Sequence, residues 1–460
     1  MNWTPKVLII GAGPTGLGAG YRLQELGHDN WSILEANDYV GGLATSFTDD
    51  AGFTYDIGGH VMFSHYDYYD ELVDKLMGGE YTKLQREAWV WMEDRFIPYP
   101  FQNNIRDLEP STVYECVTGL IQAQRENRPF ANFKEWVDAV FGAGIARHFM
   151  IPYNFKVWAT PAELMSHLWI GERVSVVDVE AILRNVILHE DQASWGPNNT
   201  FRYPLRGGTG FLYDGLRAHV EDHLHLETPV VSVDPIAKEA RTADGRAWPY
   251  DVLLSTMPIN RLVERMEGVP DAVRAAVGGL HWSGSHIVGV GLDRPADSTK
   301  NWVYFPEPDV PFYRVTYLSN YSPYMTASPD QTLLLTETSQ SAHKPEDAAT
   351  IVDRVLDGLV TTRLMDETDR ELVVTTWLCS PSMSYPVPST TRDAALGTIQ
   401  PWLRSQGIWS RGRFGAWLYE IGNMDHSTMQ GVEFVNHVLA GAPEQTWIPR
   451  GEDAGLEAVR

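Results

Sequence analysis

The 460-residue chain has few cysteines, little positive charge and no long apolar run, and each shortage excludes a class of function. Its two cysteines, Cys116 and Cys379, allow at most one bridge and no cysteine metal cluster, which points to a reducing, cytoplasmic setting. Thirty-six basic residues against sixty acidic ones leave a formal charge of −24, which argues against nucleic acid or an anionic membrane as partner. No apolar run approaches the roughly 18 residues of a membrane span. The first such run, residues 7–10, leads straight into glycines and reads as a strand, not as a signal peptide. Asp222-His223-Leu224-His225 has no third ligand at a recognisable spacing and reads as a solvated face.

What is present begins at the N-terminus. Lys6-Val7-Leu8-Ile9-Ile10-Gly11-Ala12-Gly13-Pro14-Thr15-Gly16 reads as a buried strand, a glycine turn and a helix start, the cradle for a dinucleotide. Gly11 allows the turn, Gly13 lets backbone approach a pyrophosphate, and Gly16 lets the helix pack on the sheet. The helix N-terminus then faces the phosphates, where free N–H groups favour negative charge. A helix is predicted over 16–26 and a second strand over 31–34, with Glu35 about 20 residues past the turn to bind a ribose hydroxyl. Two further glycine pairs, Gly41-Gly42-Leu43 and Gly58-Gly59-His60, suit FAD better than NAD alone.

Downstream, prolines at 98 and 100 exclude a helix and make 96–104 a rigid turn. There Tyr99, Phe101 and Gln102 form either a base-binding platform or a loop packed on its own aromatics. Residues 108–189 read as helical, with a capping box at Thr160-Pro161-Ala162-Glu163. Within the aromatic stretch 149–158, Asn154 and Trp158 are the candidates for a ligand. Arg173 ends an apolar stretch, where a salt bridge to Glu172 or Asp178 is the plain alternative to a ligand role. The pattern returns to α/β over 204–256, with strands at 229–233 and 250–256. From 285 to 374 the strands read as antiparallel, crossed by one helix over 348–364. Alternation places Phe312, Arg314 and Thr316 on one face, where Arg314 requires a carboxylate or a phosphate. A turn over 410–426 leads into a helix at 428–439, and the tail beyond Gly441 reads as loosely held.

The architecture is therefore α/β. A discontinuous Rossmann-like FAD-binding domain (1–104, 200–284, 405–460) carries an inserted helical substrate domain (105–199) and an antiparallel sheet domain (285–404).

Several long motifs resemble one family: Gly58-Gly59-His60-Val61 with Phe63-Ser64-His65-Tyr66, and the segments 98–104, 152–159, 171–174, 312–324 and 412–431. They resemble the UDP-galactopyranose mutases, particularly the eukaryotic, fungal type, nearly end to end. The resemblance implies a sugar-nucleotide isomerase in which reduced FAD attacks the anomeric carbon of UDP-galactose. A flavin–sugar adduct opens and recloses as the five-membered ring, without net redox. NAD(P)H is the implied candidate reductant. No Ser/His/Asp arrangement, acid–base pair or metal site stands out to compete with this chemistry.

Matched by position, the resemblance assigns Arg173 and Arg314 to the diphosphate, with hydroxyls from Tyr304, Tyr385 and Tyr419. It assigns Tyr99, Phe101, Gln102, Phe149, Met150, Asn154, Trp158 and Asn198 to the rest of the substrate. His60 and Phe63 lie by flavin and sugar. The cofactor set is Gly11, Gly13, Pro14, Thr15, Gly16, Glu35, Gly42, Leu43, Gly58, Gly59, His60, Val231, Arg413, Gly422, Asn423, Met424 and Asp425.

The chain departs from the family at 377–383, at 210–213 and at Met424, where fungal members carry Gln. These departures leave sugar specificity and oligomeric state open. The alternatives are a mutase acting on another nucleotide sugar, an FAD amine oxidase or desaturase, and a non-enzymatic FAD-binding protein.

Overall fold

Val7–Ile10 is buried along its whole length because it lies inside a parallel sheet covered on both faces, which explains an unbroken apolar run where an exposed strand would alternate. In this computed structural model, which describes residues 4–126, 128–190 and 199–447, the strand pairs in parallel with Trp31–Leu34 and Val252–Ser255. Ile408–Ser410 and Leu224–His225 complete the five-stranded sheet at its two edges. The helix Pro14–Glu25 starts two residues earlier than the sequence predicts, since Pro14 is pre-organised for the first helical position. It packs against Met424–Ala440, which starts four residues before its expected point.

A second, eight-stranded sheet runs in the order Val373–Cys379, His281–Leu292, Thr332–Gln340, Arg314–Tyr317, Trp302–Tyr304, Ala88–Met92 and Arg95–Pro98, with Tyr385–Val387 paired to His281–Leu292. Residues 88–98, grouped by sequence with the segment 1–104, are thus strands of this sheet, joined in parallel through Trp302–Tyr304. The expected shared face of Phe312, Arg314 and Thr316 holds for the last two only. Regular pairing begins at Arg314, and Phe312 instead packs with Val315 and Tyr317 beside the helix Ile351–Thr361.

The helices Pro110–Glu126, Phe133–Ile145, Ile151–Trp158 and Val179–Leu188 form the inserted lobe around Phe133, Val137, Phe141 and Ile145. Asn132 caps the second of these by accepting the Glu135 N–H at 2.9 Å. The capping box expected at 160–163 does not form. Thr160 donates its hydroxyl to the Trp158 carbonyl at 3.1 Å, and only the 3-10 turn Ala162–Leu164 follows, so a local side-chain bond displaces the cap. The tail is also held more firmly than expected as far as 447: Arg411 pairs with Glu444 at 2.7 Å and lies over Trp447, and Thr446 bonds to Glu433. Among the described residues no helix is long and apolar enough to cross a membrane.

Candidate functional site

A cavity of about 640 Å³ opens at the carboxyl end of the parallel sheet. Gly11, Gly13, Pro14 and Thr15 line it, and the three turn glycines differ in what confines them. A Cβ on Gly11, at φ +98°, would stand 2.2 Å from Thr256 Oγ1, and one on Gly16 would stand 1.9 Å from the Gly11 carbonyl. Gly16 is accordingly a packing residue outside the cavity lining. A Cβ on Gly13 would meet nothing within 4 Å, so the space it guards is open to a ligand. Glu35 also lines the cavity, and its carboxylate accepts the Ala12 N–H at 2.7 Å and the Asn37 amide at 2.8 Å, tying the end of the second strand to the glycine turn.

Gly42 and Leu43 cover one side, and Gly422, Asn423, Met424 and Asp425 enter at the start of Met424–Ala440. Val231 is 49% exposed and does not line the cavity; strand alternation presents Val230 there instead, which corrects the sequence assignment. Asp425 is buried and accepts from His65 at 2.7 Å and His426 at 3.0 Å. Burial opposes its charge, but these histidines outweigh it and hold the carboxyl well below its usual range. The open Gly13, the carboxylate after the second strand and the helix starts at 14 and 424 fit a dinucleotide with its diphosphate over Gly13.

At the far end stand Gly58, Gly59, His60, Phe63, Arg314, Tyr385, Arg413 and Tyr419. Arg314 donates through Nε to Glu337 at 2.6 Å and through Nη2 to the Gly59 carbonyl at 3.3 Å. Glu337 also accepts the Gly59 N–H at 3.0 Å and the Tyr313 hydroxyl at 2.6 Å, and Tyr313 meets the Tyr385 hydroxyl at 3.1 Å. Burial disfavours the Glu337 charge, yet Arg314, Tyr313 and Gly59 hold its pKa below the ordinary value. The His60 imidazole is pushed down to about 4, first by burial and then by Arg413 and Arg314, against the pull of Glu337. Arg413 donates to the Ser384 and Gly422 carbonyls and lies 4.9 Å from the Tyr385 ring centre.

Arg173 arrives from the helical lobe. Its guanidinium donates to the Glu420 carbonyl and lies 5.5 Å from the centre of the Tyr419 ring. Tyr419 and Tyr385 are 6.1 Å apart, so Arg173 and Arg314 approach this pair from two lobes. The aromatic set lies beside them, outside the cavity lining. Tyr99 packs on Tyr304 at 5.2 Å, Phe101 stacks on Phe149 at 4.6 Å, and Trp158 stands edge-on to Tyr419 at 4.7 Å. Met150 and Asn154 are buried in this lobe, and Asn154 donates back to the Met150 carbonyl. Gln102 donates to the Ser175 carbonyl at 2.8 Å, but its buried Oε1 has no partner among the described residues. Asn198 lies outside the described residues.

Sequence reasoning missed Glu337. Its signal was a lone carboxylate in the apolar and threonine-rich strand Thr332–Gln340, a position that requires a cation. It also missed Arg261 and Arg265, which line the same cavity.

The profile of the flavin containing amine oxidoreductase family matches residues 14–431. A crystal structure of a reduced UDP-galactopyranose mutase superposes with a TM-score of 0.94 at 43% identity, over 96% of this chain and 96% of that one. A protein of Exiguobacterium sp. 255-15, provisionally assigned as a protoporphyrinogen oxidase, gives a TM-score of 0.73 at 15% identity, over 96% of this chain and all of that one (100%). A fatty acid isomerase from P. acnes that produces CLA gives 0.63 at 17% identity, over 94% and 98%. The last two share the fold alone.

Proposed function

The chain belongs to the flavin containing amine oxidoreductases and, among them, to the UDP-galactopyranose mutase family, and from that premise we propose that it interconverts the pyranose and furanose forms of UDP-galactose. Its motifs support the eukaryotic, fungal type. What carries the reading is that one cavity runs from the glycine turn to Arg314, Tyr385 and Tyr419. Bound and reduced, FAD would supply the nucleophile for the anomeric carbon, and NAD(P)H is the proposed reductant.

The protein's own residues bind and orient. Gly11, Gly13, Pro14, Thr15, Gly42 and Leu43 hold the cofactor diphosphate arm, with Glu35 on the ribose. Gly58, Gly59, His60, Arg413, Gly422, Asn423, Met424 and Asp425 surround the ribityl and flavin end. Arg173 and Arg314 hold the substrate diphosphate, each charge-assisted bond contributing about 1.5–3 kcal/mol to the departing UDP. Tyr304, Tyr385 and Tyr419 donate hydroxyls beside them. Tyr99, Phe101, Phe149, Met150, Asn154 and Trp158 face the uridine. The unpartnered Gln102 Oε1 suits the imide N–H of uracil, a donor that would satisfy it. Phe63 and neutral His60 stand by the sugar, and segment 105–199 serves as the substrate domain, in a cytoplasmic setting.

The test is conversion of UDP-galactofuranose by the purified flavoprotein with FAD oxidised and with FAD reduced by dithionite. Turnover only in the reduced state is expected. No turnover with this or any other nucleotide sugar, with FAD bound and reduced, overturns the mutase reading.

A further inference from the structure

A second pair of cations, Arg261 and Arg265, lines the same cavity as Glu35. The Glu35 carbonyl accepts the Thr228 N–H at 2.7 Å, which brings the strand Val230–Asp234 alongside the end of Trp31–Leu34. On that strand, Val230 and Val233 pack against Ile259, Leu262 and Val263 of the helix Ile259–Arg265. The same helix turns Arg261 and Arg265 into the cavity, one helical turn apart, together with Met257 and Pro258. Arg265 is partly buried and donates to the Arg261 carbonyl at 3.1 Å. Arg261 pairs with Glu264 at 2.9 Å, whereas among the described residues no carboxylate lies within ion-pair distance of Arg265.

In a chain of net charge −24, an arginine that lines this cavity with no carboxylate in ion-pair distance among the described residues is placed to meet a ligand. Its position identifies the neighbour it would meet. The carboxylate after the second strand binds the ribose of the adenosine half, so the group lying beyond Glu35 is the purine. A planar guanidinium stacks on such a ring, where an ammonium offers only a point charge.

We infer that Arg265, supported by Arg261, caps the adenine of the cofactor and sets the affinity for its adenosine arm. This rests on the FAD reading above. It assigns these two arginines to cofactor retention, at the opposite end of the cavity from Arg314, and gives them no part in substrate turnover.

FAD release from diluted holoenzyme is followed by flavin fluorescence, and the deflavinated full-length chain is titrated with FAD and with ADP, which carries the adenosine half alone. Arg265→Ala is expected to raise both dissociation constants by a common factor of about ten. Arg265→Lys, which keeps the charge and loses the plane, is expected to stay within about threefold of the alanine variant. FAD and ADP affinities within about twofold of wild type in Arg265→Ala overturn the inference, as does a loss for FAD without one for ADP. Full rescue by lysine also overturns it, because charge alone would then suffice. A wild-type chain that binds no FAD overturns the cofactor reading itself. A wild type that binds FAD and a variant that binds it equally well remove only this inference.

Discussion

Arg314 and Glu337 stand directly opposite each other on neighbouring antiparallel strands and form an ion pair at 2.6 Å, with the carboxylate side chain 3% exposed and the guanidinium 21% exposed. The pair does two jobs that a single variant would expose together. Removing the cation leaves Glu337 buried and unpaired, which costs about 3–5 kcal/mol. It also removes the group assigned to the diphosphate, for which the loss is about 100-fold in rate. Arg314→Ala should therefore keep FAD but lose both stability in urea denaturation and steady-state turnover. Near-normal turnover would sink the diphosphate assignment whatever the stability.

Arg173 gives the contrasting case. Among the described residues its partners are the Glu420 carbonyl and the Tyr419 ring, so truncation strands no described buried carboxylate. Arg173→Ala should cost only about 1–2 kcal/mol of stability, yet lose about 100-fold in kcat/KM for the nucleotide sugar. A melt as depressed as that of Arg314→Ala, with normal kinetics, would make Arg173 a structural residue.

Much of this was legible from sequence because local chemistry dictates it. The glycine turn, Pro14 at the helix start and Glu35 after the second strand follow from backbone sterics and spacing, and they meet in one cavity. What was not legible depends on which segment crosses which. Ala88–Met92 reads as a strand in sequence, but only the fold pairs it with Trp302–Tyr304, more than two hundred positions away. The face of Phe312 was misassigned because period-two alternation applies only once ladder pairing starts, at Arg314. The capping box at 160–163 failed because Thr160 found a nearer acceptor in the Trp158 carbonyl. Glu337 was visible as a charge in a buried strand, and the identity of its partner was not.

The glycine turn separates a ligand role from a folding role within one motif. Gly13 has φ −75°, which any residue adopts, and a Cβ there would meet nothing within 4 Å. Gly13→Ala should leave the melting temperature of the deflavinated chain near wild type while FAD affinity falls at least about tenfold, because the methyl group occupies the space for the diphosphate. Gly16→Ala places its Cβ 1.9 Å from the Gly11 carbonyl and should yield little folded protein. FAD bound equally well by Gly13→Ala and wild type in a fluorescence titration would move the diphosphate elsewhere.

His60 supplies a pH dependence whose sign is fixed by its surroundings. Burial, with Arg413 and Arg314, holds the imidazole at about 4, below the ordinary 6.5 that applies in the unfolded chain. As pH falls below 6.5 the unfolded state takes up a proton that the folded state refuses, so folding stability declines between about 6.5 and 4. Asp425 stays ionised through this window, since His426 and His65 hold it below its usual range despite burial. His60→Gln removes the titrating ring, so its melting temperature should fall less between pH 7 and pH 5 than that of wild type. His60 should also contribute no limb to the pH profile of kcat/KM between 6 and 7, because it is neutral throughout that range. An equal fall in melting temperature for both proteins, or a ring titrating near 6.5 by NMR, would show that the fold does not hold the imidazole neutral through this range.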